Sequence, residues 1–212
     1  VRVVDIGKIK GPKTQAGAKI EMPSGKNGVV KINISGDSYD LSEFFDRGKN
    51  SSAAADEAEN DWEKTPDVDV NIAVNRLWTN PDVSVTGFAG SARLRNGVGV
   101  HEVHMIGNYD HNRSMNLKVD YVPRPNGEWL LSVSSNHAGN TLRFLRIYND
   151  MHGGNLQIEA KKGADGEFIG HAKIRDFSLH NTPLLARLLT VASFSGMVDM
   201  LTGEGMTFSH FD

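Results

Sequence analysis

The feature that most constrains this chain is a repeated alternation of apolar and polar residues through its middle part. In residues 67–78, aspartate and asparagine alternate with Val68, Val70, Ile72 and Val74. In residues 113–122, polar and charged residues alternate with Met115, Leu117, Val119 and Tyr121. Successive side chains of a β-strand point to opposite faces, so each stretch predicts a strand with one apolar and one polar face.

Turn signals separate similar stretches and predict hairpins. Residues 83–95, 97–108 and 128–134 read as strands, as do residues 1–10, 18–22 and 29–34 before them and residues 155–161, 167–179 and 206–211 after them. Asn96-Gly97 and Pro125-Asn126-Gly127 are typical of the tight turns between such runs. The 22 glycines among 212 residues fit a fold with many turns. The order of the runs predicts a mainly β protein built as a long antiparallel meander.

The composition divides the chain into three parts. Residues 1–47 carry strands of the same sheet or of a small subdomain. Residues 48–66 predict a mobile acidic linker or loop, because their central stretch 51–60 is small, polar and acidic and is too poor in large apolar side chains to pack. Residues 67–212 form the main antiparallel β domain.

Two stretches follow helical rather than strand spacing. Residues 140–151 predict a short amphipathic helix that ends at Gly153-Gly154. Residues 183–201 predict a longer helix, since Thr182 suits the N-cap, Pro183 suits the first helical position, and the run is apolar nearly all round. Charged residues within that run weigh against a membrane span and favour burial against a sheet or along an apolar groove.

The sequence predicts no catalytic residue, no metal site and no cofactor. The absence of cysteine excludes disulfides and cysteine-ligated metals. His101 and His104 are three positions apart, so on a strand they point to opposite faces and cannot share a metal. No nucleophile motif or phosphate-binding loop is present. The net charge of −3 gives no electrostatic basis for binding nucleic acid.

The apolar side of the predicted strands must be covered, because each buried Leu or Val contributes about 1.5–3 kcal/mol. Periodicity alone leaves two arrangements open. One is a closed, dry core. The other is a sheet curled into a gutter whose apolar interior holds acyl chains.

Three stretches resemble one family of bacterial envelope proteins. Residues 170–196, with Asp176-Phe177 followed by Thr182-Pro183 and a Leu-rich run, are similar to the AsmA-like C-terminal region of YhdP-type proteins. Residues 201–208, Leu-Thr-Gly-Glu-Gly-Met-Thr-Phe, and residues 138–143 with the Gly153-Gly154 pair resemble further elements of that region. The resemblance covers about residues 138–212, and the strand meander matches only in pattern.

The resemblance implies a non-catalytic segment of an inner-membrane-anchored protein whose periplasmic part carries phospholipid along a β-gutter. The expected partners are an acyl-chain lipid and the rest of a longer parent chain, and the C-terminal helix is expected to pack on or in the gutter. The residues expected to face the groove are Met115, Leu117, Val119, Tyr121, Leu156, Ile158, Leu185, Leu188 and Leu189. The alternative is a structural or protein-interaction module of the envelope with a closed core and exposed strand edges.

Overall fold

The structure is a computed structural model, and it describes residues 1–25, 28–42, 66–109, 115–163 and 166–179. Three predictions lie outside these residues: the helix at 183–201, the last strand at 206–211 and nearly all of the acidic linker. The groove candidates Leu185, Leu188 and Leu189 lie outside them as well.

The described residues form ten strands and one short helix, α1. The strands are β1 (Arg2–Lys10), β2 (Gln15–Met22), β3 (Val30–Asp40), β4 (Val68–Trp78), β5 (Ser84–Arg95), β6 (Gly99–Asn108), β7 (Asn116–Pro123), β8 (Trp129–Ser135), β9 (Met151–Lys162) and β10 (Phe168–Leu179). Helix α1 (Ala138–Phe144) lies between β8 and β9.

All ten strands belong to one sheet, and their order in the sheet is their order in the chain. Among the described residues, β1 and β10 are its two edges, so these ten strands do not close into a barrel. The prediction of a mainly β, largely antiparallel meander is therefore confirmed. β1–β3, the strands of residues 1–47, lie in the same sheet as the rest.

One junction differs from the prediction of an antiparallel meander, because β3 and β4 are parallel. Their residues pair in register, with Val30 beside Val68 and Asp40 beside Trp78. The end of β3 and the start of β4 therefore lie at opposite ends of the sheet. Alternation predicts a strand but not its direction, and this is why the sequence did not reveal the parallel pair.

Helix α1 is shorter than the predicted helix at 140–151 and begins earlier. Its N-cap is His137, whose ring Nδ1 accepts a hydrogen bond from the Asn140 N–H at 3.1 Å. Gly153 and Gly154 do not end the helix, because they lie inside β9. Both have positive φ, as does Asp176 beside them on β10 (φ 57°), so the pair marks a local irregularity of the two strands rather than a turn.

Helix α1 lies at the end of the sheet where β3, β4, β6 and β8 finish. The Thr79 hydroxyl, just after β4, donates to the Phe144 carbonyl, and Asn80 donates to the Arg143 carbonyl at 2.7 Å. Arg146 reaches the Ser42 carbonyl, just after β3. At the other end of the helix, Gly139 lies against the Met151 carbonyl of β9. In a flat sheet β4 and β9 would be about 24 Å apart, whereas Gly139 and Phe144 are only about 8 Å apart along the helix. These contacts therefore require the sheet to curl towards α1.

Candidate functional site

Two rows of side chains run across the whole sheet on one face and contain no charged or amide side chain. We call them the apolar rows. Register pairing places in the first row Val4, Ile20, Ile32, Val70, Ala92, Val103, Tyr121, Leu131, Ala160 and Gly170. It places in the second row Ile6, Ala18, Ile34, Ile72, Gly90, Met105, Val119, Val133, Ile158 and Ala172. The phenol of Tyr121 is the one polar group in these rows, at the end of an aromatic ring.

The row that lies between them in sequence points to the other face and is polar at every position. We call it the polar row. Its members are Asp5, Lys19, Asn33, Asn71, Ser91, His104, Asp120, Ser132, Glu159 and His171. The sheet is therefore amphipathic across its whole width, and the parallel β3–β4 junction does not interrupt this because its pairing keeps the faces aligned.

The exposure of the apolar rows changes along the sheet. From β7 to β9 the side chains are buried, and Ile158 is 2% exposed. From β1 to β6 every member is half-buried or exposed, and Ile6 is 40% exposed. The buried part belongs to the hydrophobic core that also contains Leu142 and Phe144 of α1. Ile72, Val103 and Met105 of the β1–β6 part stay half-buried but also pack against this core. The β1–β6 part as a whole is the more accessible apolar surface, and it spans about 24 Å across six strands.

The predicted groove residues fall mainly in the buried part. Leu117, Val119, Tyr121, Leu156 and Ile158 all lie on the face of the apolar rows, as expected from their spacing, and all are at most 8% exposed. Met115 lies just before β7 and is 36% exposed. Nothing in the sequence indicated that β1–β6 would be the more accessible half, because the same alternation appears in both halves.

Burial also affects the one phenol in the apolar rows. The loss of water around Tyr121 raises its pKa to about 12. Its ring lies 6.3 Å from the ring of Phe168 on β10. The phenol of Tyr121 is therefore uncharged throughout the physiological pH range, and its ring contributes apolar surface to this face.

His101 and His104 point to different surroundings, as their spacing predicted. The ring of His101 lies edge-on to Trp129 at 6.0 Å, and the Trp129 indole donates to the His101 carbonyl. His104 lies in the polar row, with Nδ1 2.7 Å from Asp120 Oδ1 and Nε2 2.9 Å from Glu102 Oε1. Sequence reasoning did not anticipate this three-residue bridge, which depends on the β6–β7 register.

The bridge shifts the proton affinities of all three groups. Hydrogen bonds to Asp120 and then Glu102 raise the pKa of His104. The hydrogen bond with His104 lowers the pKa of Glu102. Burial acts to raise the pKa of Asp120, but its hydrogen bonds with His104 and Lys118 outweigh burial and lower it. A protonated His104 is therefore held between two carboxylates, as a salt bridge within the polar face.

Within the described ranges, no cluster of three potential metal ligands is present. No helix in the same ranges is long and apolar enough to cross a membrane. A scan against protein-family models gave no match, and searches of curated proteins and of solved structures gave none either. Among the features of the described chain, the apolar rows are thus the best candidate for a binding surface.

Proposed function

We propose that this chain binds the acyl chains of a phospholipid or similar lipid on the half-exposed part of its apolar rows, and that it is a non-catalytic segment of a cell-envelope protein. The observation that carries the proposal is the continuity of the rows. Their twenty positions contain one polar side-chain group, a phenol, and the row members on β1–β6 are half-buried or exposed. Large exposed apolar patches on soluble domains commonly mark interaction sites.

The physical chemistry of the surface suits an acyl chain. Each methylene group that leaves water contributes about 0.8 kcal/mol. The side chains of the rows along β1–β6 are apolar, so they offer no hydrogen bond that would fix the position of a ligand. A surface of this kind holds a hydrocarbon chain by area alone and allows it to slide along the rows. The periplasmic location, the longer membrane-anchored parent and the carriage of lipid between membranes rest on the resemblance to YhdP-type proteins.

The proposal is tested by native mass spectrometry of the chain after expression and mild extraction. We expect co-purifying lipid on the wild type, and its loss in Val70→Asp, which places a charge in the first apolar row. Asn71→Asp is the matched control, because it adds the same charge to the adjacent residue on the polar face. Lipid-free wild-type protein, or equal lipid on both variants, would overturn the proposal.

A second candidate function is favoured by the β1 edge. β1 is nine residues long, has no strand of the described chain on its outer side, and exposes Val3 (51%) and Ile6 (40%). Both apolar rows run up to this edge. A long, partly apolar edge can pair with a strand of a partner or of the parent chain. Crosslinking from an exposed β1 position such as Lys8 would favour this function if it captured protein and no lipid bound the rows.

A further inference from the structure

A groove of about 670 Å³ opens at the α1 end of the sheet, on the side of the polar row. The β1–β2 turn forms one wall, with Lys10 and Lys13, and the ends of β3 and β4 form the other, with Asp37, Arg76 and Trp78. Val74 and Leu77 are both buried in the core although they are three residues apart, so the alternation of β4 shifts between them. Arg76 and Trp78, on either side of Leu77, therefore point away from the core. The groove is therefore separate from the proposed acyl-chain surface.

Two cations in the groove lie against the same indole ring. The Lys13 ammonium is 4.3 Å from the centroid of the Trp78 ring, and the Arg76 guanidinium is 5.6 Å from it. The attraction between a cation and an aromatic face holds both side chains near the ring. Lys13 also donates to the Pro81 carbonyl at 2.7 Å, which fixes it further.

Hydrogen bonds hold the two walls in place. The Trp78 indole donates to the Ser38 hydroxyl at 3.1 Å, and that hydroxyl donates to the Lys13 carbonyl at 2.6 Å. Thr14 accepts from the Asp40 backbone N–H at 3.1 Å. The turn that carries the lysines is thus tied to β3 and β4, and the cations are placed before any ligand arrives.

The groove has an excess of positive charge in a chain whose net charge is −3. The salt bridges of the described residues involve other side chains than Lys10, Lys13 and Arg76. Among the described residues that line the groove, Asp37 is the one carboxylate, and it accepts a hydrogen bond from Asn75 at 2.7 Å. Three cations from opposite walls facing one carboxylate favour an anionic ligand.

We propose that this groove binds the phosphate group of a small phosphoester, carried either by a lipid head group or by a free molecule such as glycerol phosphate. Several cations that converge from different directions suit a phosphate, whose oxygens accept hydrogen bonds from many directions. The volume exceeds that of a bare ion and admits the polar group to which the phosphate is attached.

The test is an NMR titration of ¹⁵N-labelled protein that follows the Trp78 indole N–H, with the Trp129 indole as an internal reference. We expect glycerol 3-phosphate to shift the Trp78 signal in a saturable manner, and glycerol to leave it unchanged. The double variant Lys13→Gln, Arg76→Gln should weaken binding by about tenfold or more. Lys10→Gln, a change of an exposed side chain, should weaken it less but measurably.

Lys31→Gln is the control, because it removes one exposed charge from the same face away from the groove. Vesicles of phosphatidylglycerol added to the same sample separate the two sources of phosphate. If vesicles abolish the Trp78 signal of the wild type but not that of the Lys13→Gln, Arg76→Gln variant, the ligand is a lipid head group. If only glycerol 3-phosphate changes the signal, the ligand is a free molecule. No saturable shift with either, an equal shift with glycerol, or equal binding by all variants would overturn the proposal. Val70→Asp should leave this titration unchanged, so its outcome does not depend on acyl-chain binding.

Discussion

Ile32 of β3 and Val70 of β4 are register partners across the parallel junction of the sheet, and both belong to the first apolar row. Their pairing joins the strands of the amino-terminal part to those of the main β domain without a break in the apolar face. The proposed binding of acyl chains depends on that continuity, and on the difference between the buried half of the rows and the accessible half.

The two halves of the apolar rows should differ in what they contribute to stability. Ile158→Ala removes a side chain that is 2% exposed, and we expect a loss of about 2–5 kcal/mol in the free energy of unfolding. Ile32→Ala removes the same atoms from a half-buried position, and we expect a loss of about 1 kcal/mol. Urea unfolding measures both values, and equal losses would contradict the division into a buried and an accessible half.

The packing of helix α1 against β9 should require glycine at position 139. A Cβ on Gly139 would lie 2.2 Å from the Met151 carbonyl oxygen, and this backbone atom belongs to β9. Gly139→Ala should therefore cost about 1–3 kcal/mol in unfolding free energy. Gly7→Ala is the control: a Cβ there meets nothing within 4 Å, so we expect a change within about 1 kcal/mol. Similar melting temperatures for the two variants would contradict this contact.

The hydroxyl of Thr79 should be important for holding the end of β4 against α1. Thr79 is 3% exposed and donates to the Phe144 carbonyl. Thr79→Val keeps the shape but leaves that carbonyl without its donor, which should cost about 1–3 kcal/mol. Thr79→Ser retains the hydroxyl and should cost less. Thermal unfolding of the two variants compares them, and a larger loss in the serine variant would show that packing rather than the hydrogen bond dominates.

The His104 bridge should stabilise the fold in a limited pH window. Because the pKa of His104 is raised, the stabilisation from its protonated ring is fully present below the ordinary histidine pKa of 6.5, and it is lost as the pH rises through the pKa of His104 in the folded state. Its partners Glu102 and Asp120 have lowered pKa values, so their contribution is present above the ordinary values of 4.5 and 3.8 and fades as the pH falls through the folded-state values. The wild type should therefore exceed His104→Gln in melting temperature at about pH 5.5, and by less at about pH 8.5.

His171→Gln is the matched control, because His171 is an exposed member of the polar row at the opposite part of the sheet. Comparing the two variants at both pH values separates the loss of the bridge from the loss of a polar-row histidine. A difference between wild type and His104→Gln that grows from the lower to the higher pH would contradict the assignment of the bridge.

The strands and their faces could be predicted from sequence because alternation is a local property. Val68, Val70 and Ile72 indicate their common face within a few residues, and the structure places them together. The pairing partners were harder to predict. The parallel direction of β3 and β4 depends on the path of the chain between them, and the place of Gly153 inside β9 depends on its pairing with β10 beside Asp176.

The candidate sites needed information that alternation does not contain. Val70 and Val119 have the same pattern around them, yet one is half-buried and the other is 6% exposed, because burial depends on what packs above the sheet. The groove at Trp78 gathers Lys13 and Arg76 from distant parts of the chain. Only the register of the β1–β4 strands brings these cations to one ring.

The most direct test of acyl-chain binding by the apolar rows is photo-crosslinking from two adjacent residues of β3. A benzophenone-bearing amino acid at Ile32 lies on the accessible half of the first apolar row, and the same residue at Asn33 lies in the polar row. After irradiation in cells, followed by purification and mass spectrometry, we expect lipid adducts at position 32 and few at position 33. Equal lipid labelling at the two positions, or none at position 32, would contradict the proposed function.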